Sequence, residues 1–169
     1  MKLPLRSIAL SGISSAVLLL GACLYGFAGG GLPGHIRTVA VRPMDNLTPI
    51  AGLQLEFSDS IRSGLNDRLG LRDAPEARAH ALFSGTIQRY EADIPVGYEA
   101  GNRGATTARR MIQIVVDVEL LDQTTGKVLW QRKGLNAQAQ YEERGEAEGR
   151  GQAIRQIVIA IIEGAQSQW

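Results

Sequence analysis

The sequence predicts an α/β (α+β) domain, a two-layer sandwich in which two helices pack on one face of a four-stranded mixed sheet, in the order β-α-β-β-β-α. Two observations support this prediction. Two segments repeat apolar residues at helical spacing, and four segments either alternate apolar and polar residues or are rich in β-branched residues. A length of 169 residues, with 44% apolar and 21% charged side chains, fits one such domain and leaves no room for a second core.

The first predicted strand runs from Ile36 to Val41, and Pro43 should stop it because proline cannot donate a hydrogen bond to a strand ladder. A helix should follow. Its apolar residues recur at every fourth position of one face, namely Leu53, Phe57, Ile61, Leu65 and Leu69. Gly70 is placed to end this helix, since glycine readily takes the left-handed conformation common at helix C-termini.

Three further strands and a second helix complete the predicted domain. The second strand runs from Leu82 to Tyr90, where the pattern returns to period two. The third strand has the clearest alternation, with Ile112, Ile114, Val116, Val118 and Leu120 on one face and Gln113, Asp117 and Glu119 on the other. Residues 122–126 predict a hairpin turn into a fourth strand, Val128 to Tyr141, and the last helix spans about Glu146 to Gln166.

The N-terminus has the three parts of an export signal: the cations Lys2 and Arg6, an apolar run from Ile8 to Leu20, and small residues before Cys23. The run Leu20–Cys23 resembles the lipobox of bacterial lipoproteins. That resemblance implies that residues 1–22 are a cleaved signal peptide and that Cys23 becomes a lipid-bearing N-terminus. An uncleaved membrane span is the alternative, but serines at 11, 14 and 15 leave the apolar run short of the ~20 residues that a span needs.

Residues 23–35 predict a lipidated, glycine-rich tether ahead of a single domain at 36–169. Leu24 follows the cysteine in place of the aspartate that typically retains such proteins in the inner membrane. Similarity to the lipoprotein class therefore points to the outer membrane.

Charge and motif content exclude several classes of function. Without Lys2 and Arg6, 16 basic and 17 acidic side chains remain, which argues against general nucleic-acid binding. His35 and His80 lack metal-ligand spacing, and the nucleophile-elbow and dinucleotide motifs are missing from the sequence. Asp117 and Glu119 share one strand face as a catalytic pair might, although solvated strand carboxylates are far commoner. We expect no enzyme activity, no metal, and no cofactor beyond the covalent lipid.

Several segments together resemble the LptE family of lipopolysaccharide-assembly lipoproteins. The resemblance rests on residues 32–41 followed by Asn46-Leu47-Thr48, on the strand at 82–87, and on the hairpin formed by residues 114–120 and 125–130. It implies a lipoprotein that sits inside the outer-membrane β-barrel LptD, helps that barrel assemble, and helps lipopolysaccharide reach the outer leaflet.

A second class stays open on the sequence alone. The segment Ala40–Asn46 before the first helix is also similar to the first strand of periplasmic lipoproteins related to curli-secretion proteins and to penicillin-binding-protein activators. Such proteins are interaction modules with a comparable α/β layout. A hydrolase fragment or a lipid carrier is a third possibility, for which the sequence offers no pocket signature.

A local concentration of arginines marks the segment from about Tyr98 to Arg110, predicted as a mobile turn between the second and third strands. Arg103, Arg109 and Arg110 lie within eight positions of a chain that has no basic surplus. Guanidinium groups form paired hydrogen bonds with phosphates, which lipid A carries. These arginines are therefore candidate lipopolysaccharide-binding residues; the alternative is that they only solvate a loop or pair with Glu99 and Asp117.

Overall fold

The structure is a computed structural model, and it describes residues 31–100, 106–142 and 144–167. The predicted signal peptide, Cys23, most of the predicted tether and Arg103 lie outside these residues. Within the described part, neither helix combines the length and apolar character needed to cross a bilayer.

The predicted fold class is confirmed. Two helices and a mixed sheet form the domain, with α1 at Leu53–Leu69 and α2 at Glu146–Ser167. The strands are β1 (Thr38–Val41), β2 (Asp45–Asn46), β3 (Arg72–Asp73), β4 (Ala81–Ala100), β5 (Thr106–Asp122) and β6 (Lys127–Glu142). The sheet order is β3-β1-β4-β5-β6, with β2 also paired to β4. β1 runs parallel to β3 and β4, whereas β4, β5 and β6 are antiparallel neighbours.

The sheet holds six strands where four were predicted. The two additional strands, β2 and β3, are two residues long and polar, so they are too short to show any period in the sequence. Backbone hydrogen bonds define them: the Leu47 N–H donates to the Ile87 carbonyl, and the Arg72 N–H donates to the Arg37 carbonyl. Tertiary pairing therefore creates these strands without a local sequence signal.

β4 and β5 are much longer than predicted. β4 continues past Tyr90 to Ala100, and β5 begins at Thr106, before the predicted start at Ile112. Irregular pairing lets them continue, because the register shifts between Ile87 and Arg89, and twice more before Gly97. These bulges break the alternation of side chains along β4. The period-two pattern, on which the prediction depended, is lost there although the pairing is not.

The helices cover one face of the sheet, and their packing encloses one large apolar core. Its fully buried side chains include Phe57 and Ile61 from α1, Phe83 and Ile114 from the sheet, and Ile157 from α2. A smaller cluster of Ala40, Ala79 and Leu82 lies apart from that core.

Two helical glycines allow close approaches in the core, Gly64 between the two helices and Gly164 between α2 and the sheet. A Cβ on Gly64 of α1 would lie 2.5 Å from Val158 of α2, and a Cβ on Gly164 would lie 2.5 Å from the Trp130 indole. Both positions therefore need glycine, although glycine in a helix costs about 0.5–1 kcal/mol relative to alanine.

Candidate functional site

The far ends of β4 and β5, residues 93–100 and 106–111, pair with each other and are here called the arm; residues 109–111 also pair with β6, whereas residues 106–108 pair with β4 alone. Arg109 lies opposite Gly97 of β4 and Glu142 of β6, while Arg110 lies opposite Pro95 and Tyr141. The prediction that these two arginines lie in a mobile turn is wrong, since both are residues of β5. Successive strand residues point to opposite faces, so the two guanidinium groups leave the arm on different sides.

Arg110 takes part in a hydrogen-bonded cluster at the base of the arm. Its Nη1 donates to Asp93 Oδ1 at 2.6 Å, and the Tyr141 hydroxyl donates to the same oxygen at 2.7 Å. The Asp93 N–H in turn donates to the Tyr141 hydroxyl oxygen at 3.0 Å. The Tyr141 hydroxyl, followed by Arg110, holds the pKa of Asp93 below its usual range. The carboxylate is therefore stabilised in its charged form where it meets Arg110.

Asp93 also has an unusual backbone conformation. Its φ of 63° is the one positive value found among non-glycine residues of the described chain, and it falls where the β4–β5 register shifts. Aspartate tolerates the left-handed region better than most residues. The three hydrogen bonds to Asp93 offset the strain of this conformation and fix the direction in which the arm leaves the sheet.

A second polar network ties the base of the arm to both helices. The Tyr90 hydroxyl of β4 donates to Glu146 Oε1 of α2 at 2.8 Å. Arg150 of α2 donates from Nε and Nη2 to the two carboxylate oxygens of Glu56 in α1, at 2.9 and 3.2 Å. Burial raises the pKa of Tyr90 to about 12, and the bidentate Glu56 contact raises the pKa of Arg150. Both groups thus keep their hydrogen-bonding protons through the physiological range.

Asp117 and Glu119, the carboxylates considered as an acid–base pair, line a shallow groove of about 470 Å³ on the sheet face away from the helices. Asp117 uses both of its oxygens within the sheet. Oδ2 accepts from Gln88 Nε2 at 2.9 Å, and Oδ1 accepts from the Gly134 N–H at 2.7 Å. Gly134 has a φ of 64° at a bulge in β6. Asp117 therefore stabilises that bulge.

Asp122, at the predicted hairpin turn, is a buried carboxylate with only 2% of its surface exposed. It accepts hydrogen bonds from the Thr124 and Thr125 backbone N–H groups, from the Thr125 hydroxyl, and from His35 Nε2 at 2.8 Å. Burial alone would raise the pKa of Asp122, but these hydrogen bonds outweigh it and hold the pKa well below the usual range.

The end of the predicted tether is packed against the domain. His35 contacts Asp122, Leu32 packs on the core, and the Ile36 N–H donates to the Pro33 carbonyl at 2.8 Å. Leu32 and His35 therefore contact the domain although both precede the predicted boundary at Ile36. Burial of Leu32 and the buried acceptor on Asp122 account for this, and neither is visible from the glycine-rich composition.

His80 has a structural environment. Its Nδ1 accepts from the Arg37 N–H at 3.3 Å and lies 3.1 Å from the Thr38 hydroxyl oxygen, so it helps to join β1 to the start of β4. Groups of three or more His, Cys, Asp or Glu side chains suited to a metal ion do not occur in the described ranges.

Sequence reasoning missed the Asp93–Tyr141 pair and the Tyr90–Glu146–Arg150–Glu56 network. One signal was available, an aspartate inside an otherwise strand-like run between Ala92 and Ile94. Glu146 and Arg150 are four positions apart on one helix and form a local ion pair, and Arg110 lies 17 positions from Asp93. The other partners are 48 or more positions apart along the chain, and no local pattern indicates contacts at such distances.

Comparison with solved structures supports the fold. Protein CT253 from Chlamydia trachomatis has a TM-score of 0.54 at 14% identity, covering 78% of this chain and 98% of that one. Protein XCC0632 from Xanthomonas campestris has a TM-score of 0.51 at 12% identity, covering 82% and 90%. At such identities the likeness establishes a shared α/β architecture alone. Comparison with curated protein sequences gives no significant match.

A family comparison is more specific. The family model for LptE, described as lipopolysaccharide-assembly, matches residues 36–161. The match starts within two residues of β1 and ends within the last two turns of α2, so it spans both helices and all six strands. The chain therefore belongs to the LptE family of lipopolysaccharide-assembly proteins.

Proposed function

We propose that this protein is an outer-membrane lipoprotein that assists assembly of an LptD-type β-barrel, plugs the barrel lumen and helps deliver lipopolysaccharide to the outer leaflet. The observation that carries the proposal is the LptE family match over residues 36–161, essentially the whole folded domain. The lipobox ending at Cys23 supplies the proposed lipid anchor. Two or three acyl chains on that residue would hold the protein stably at a membrane.

The sheet face that the helices leave uncovered is polar, which supports a position in a polar barrel lumen. This face carries Gln113 and Asp117 on β5 and the exposed amides Asn136, Gln138 and Gln140 on β6. The interior of a large outer-membrane barrel is polar and wet. A face rich in amides can exchange hydrogen bonds with water for hydrogen bonds with barrel side chains at little net cost.

The proposed role is binding and assembly without catalysis, metal or cofactor. Its support is local, since three of the four side chains that the sequence analysis considered for chemistry have structural contacts in the fold. Asp117 holds the β6 bulge, His80 joins β1 to β4, and His35 binds Asp122.

For lipopolysaccharide contact we retain Arg103, Arg109 and Arg110 as the proposed residues. Arg109 is exposed on the arm, and Arg110 is held in place by Asp93. Guanidinium groups there can bind the phosphates of lipid A in a bidentate manner.

Depletion of the protein in cells tests the assembly role. We expect the amount of correctly folded LptD-type barrel to fall and the outer membrane to become permeable to large antibiotics. Normal barrel levels with an intact permeability barrier would contradict the proposal. As a separate test of the anchor, Cys23→Ala should leave an unprocessed precursor that takes up no labelled palmitate.

Lipopolysaccharide binding is tested with the triple variant R103Q/R109Q/R110Q at matched ionic strength. We expect weaker binding of lipopolysaccharide with unchanged association with the barrel. R37Q/R72Q/R78Q is the matched control, since it also removes three exposed arginines, which lie near the start of β4, at the opposite end of that strand from the arm. Equal binding by the triple variant and the parent would show that these arginines only solvate the arm.

A further inference from the structure

The end of the sheet opposite the arm carries a group of exposed cations. This end, here called the base, comprises residues 35–38, 72–81 and 122–127, which the strand pairing brings together. Arg37 lies just before β1 and Arg72 lies on β3, where its N–H donates to the Arg37 carbonyl. Arg78 shortly precedes β4, and Lys127 begins β6. All four side chains are exposed.

The carboxylates of the base are already paired with other residues. Each of the three has a partner of its own: Asp122 binds His35, Asp73 binds Arg62, and Glu76 binds Arg42. In the described ranges none of the four exposed cations has a carboxylate partner. The helix ends beside the base add Arg68 but also Asp67 and Glu163, so the positive excess belongs to the sheet layer.

The predicted tether joins the domain at the base. His35 contacts Asp122 of the hairpin turn, and Leu32 packs on the core. The chain from Cys23 to Leu32 spans at most roughly 30 Å even when fully extended. A lipid on Cys23 would therefore keep the base close to the membrane, whereas the arm lies at the other end of β4.

We infer that the base faces the membrane that holds the anchor, and that its four exposed cations bind the anionic headgroups of phospholipids there. The inference rests on the proposed lipid at Cys23 and adds an electrostatic contact to it. It also fits the proposed position in a barrel. A domain inside the lumen that is anchored from the periplasmic side needs its tethered end at the periplasmic mouth, beside the headgroups.

The spacing of the cations fits a charged surface better than a single ligand. Arg72 and Lys127 lie on the two outer strands β3 and β6, with β1, β4 and β5 between them. Four strand spacings of about 4.8 Å place these two residues roughly 19 Å apart. One phosphate cannot reach both, whereas a layer of headgroups can. Near an anionic membrane each Lys or Arg strengthens the attraction about fivefold.

Fluorescence quenching on vesicles tests the inference. The lipidated full chain carries one fluorophore, attached to Thr124→Cys in the base or to Val96→Cys in the arm, and the vesicles carry a quencher on their headgroups. With phosphatidylglycerol present at low ionic strength, we expect the base probe to be quenched at least about threefold more than the arm probe. Vesicles of phosphatidylcholine alone, or high salt, should lower the quenching of the base probe, because salt screens exposed charges.

Two triple variants separate the base from the arm. R37Q/R72Q/R78Q removes three of the four charges and should lower the equilibrium constant for headgroup contact about tenfold or more. R103Q/R109Q/R110Q is the matched control, since it removes three arginines from the arm and should leave the quenching of the base probe unchanged. Lipopolysaccharide binding should respond in the opposite way, with the arm variant weakened and the base variant unaffected.

Several outcomes would overturn the inference. Equal quenching of the base probe on neutral and anionic vesicles, or no effect of R37Q/R72Q/R78Q, would show that the tether alone sets the position of the base. In both cases the chain stays on the vesicles, so the proposed anchor stands. Release of the chain from both kinds of vesicle would contradict the anchor and the inference together. Loss of the co-purifying barrel by R37Q/R72Q/R78Q, with quenching unchanged, would show that the base binds acidic residues of the barrel instead.

Discussion

The helix-covered half of the sheet and the arm are built on the same two strands, yet their physical properties differ sharply. In the covered half, Phe83 of β4 and Ile114 of β5 are fully buried between two layers that approach closely at Gly164. In the arm, Val96 of β4 is 44% exposed, and the direction of the strands depends on one strained aspartate and its hydrogen bonds. The stability of the fold is therefore concentrated in one half, which leaves the other half free to vary for binding.

The comparison is tested most severely by truncating one apolar side chain in each half of β4. Phe83→Ala should lower the free energy of unfolding by about 3–5 kcal/mol, because it opens a cavity in the core. Val96→Ala in the arm should change it by less than about 0.5 kcal/mol. Urea denaturation measures both. Equal losses of unfolding free energy in the two variants would mean that the arm unfolds together with the core as one cooperative unit.

The tight packing of the covered half can be tested separately with two glycines of α2. Gly164→Ala forces a Cβ to 2.5 Å from Trp130, so we expect a loss of about 1–3 kcal/mol from overpacking. Gly151→Ala is the control, since its Cβ would meet the movable end of Arg155 at 3.3 Å. That variant should be neutral or up to about 1 kcal/mol more stable, because alanine favours the helix. A stabilising Gly164→Ala would show that the two layers can separate at this point without cost.

The last predicted effect concerns Asp122, and it depends on pH. The folded pKa of Asp122 is depressed, so its contribution to stability is fully present above the unfolded value of about 3.9 and is lost as the pH falls below it. Asp122→Asn should cost about 1–3 kcal/mol at neutral pH by weakening the buried hydrogen bonds. In thermal melts, the difference in melting temperature between wild type and variant should become smaller as the pH falls from about 5 to about 2. A difference that stays constant over that range would contradict the assignment.

The covered half could be predicted from the sequence, and the arm could not. Burial of one face imposes a helical period on Leu53–Leu69 and a period of two on Ile112–Leu120. Both elements can therefore be predicted from the local sequence. The arm shows no such period. Its strands bury few side chains, so their residues need not alternate between apolar and polar.

The arginines of the arm show how this limit affected the site. The sequence predicts a turn at Arg109 and Arg110, but the β4–β5 pairing continues past bulges beyond Tyr90, so both residues lie on a strand. The Asp93 contact with Tyr141, 48 residues away, depends on how β6 folds back and leaves no trace in the neighbouring sequence.

The central claim, that this chain associates with an LptD-type barrel, is tested most directly by identifying what co-purifies with it. The tagged full chain is extracted from outer membranes in mild detergent, and the bound proteins are identified by mass spectrometry. We expect an LptD-type barrel in near-stoichiometric amount, retained by R103Q/R109Q/R110Q because the arm is assigned to lipopolysaccharide. Recovery of a peptidoglycan synthase or a curli-secretion component, with no barrel present, would contradict the account.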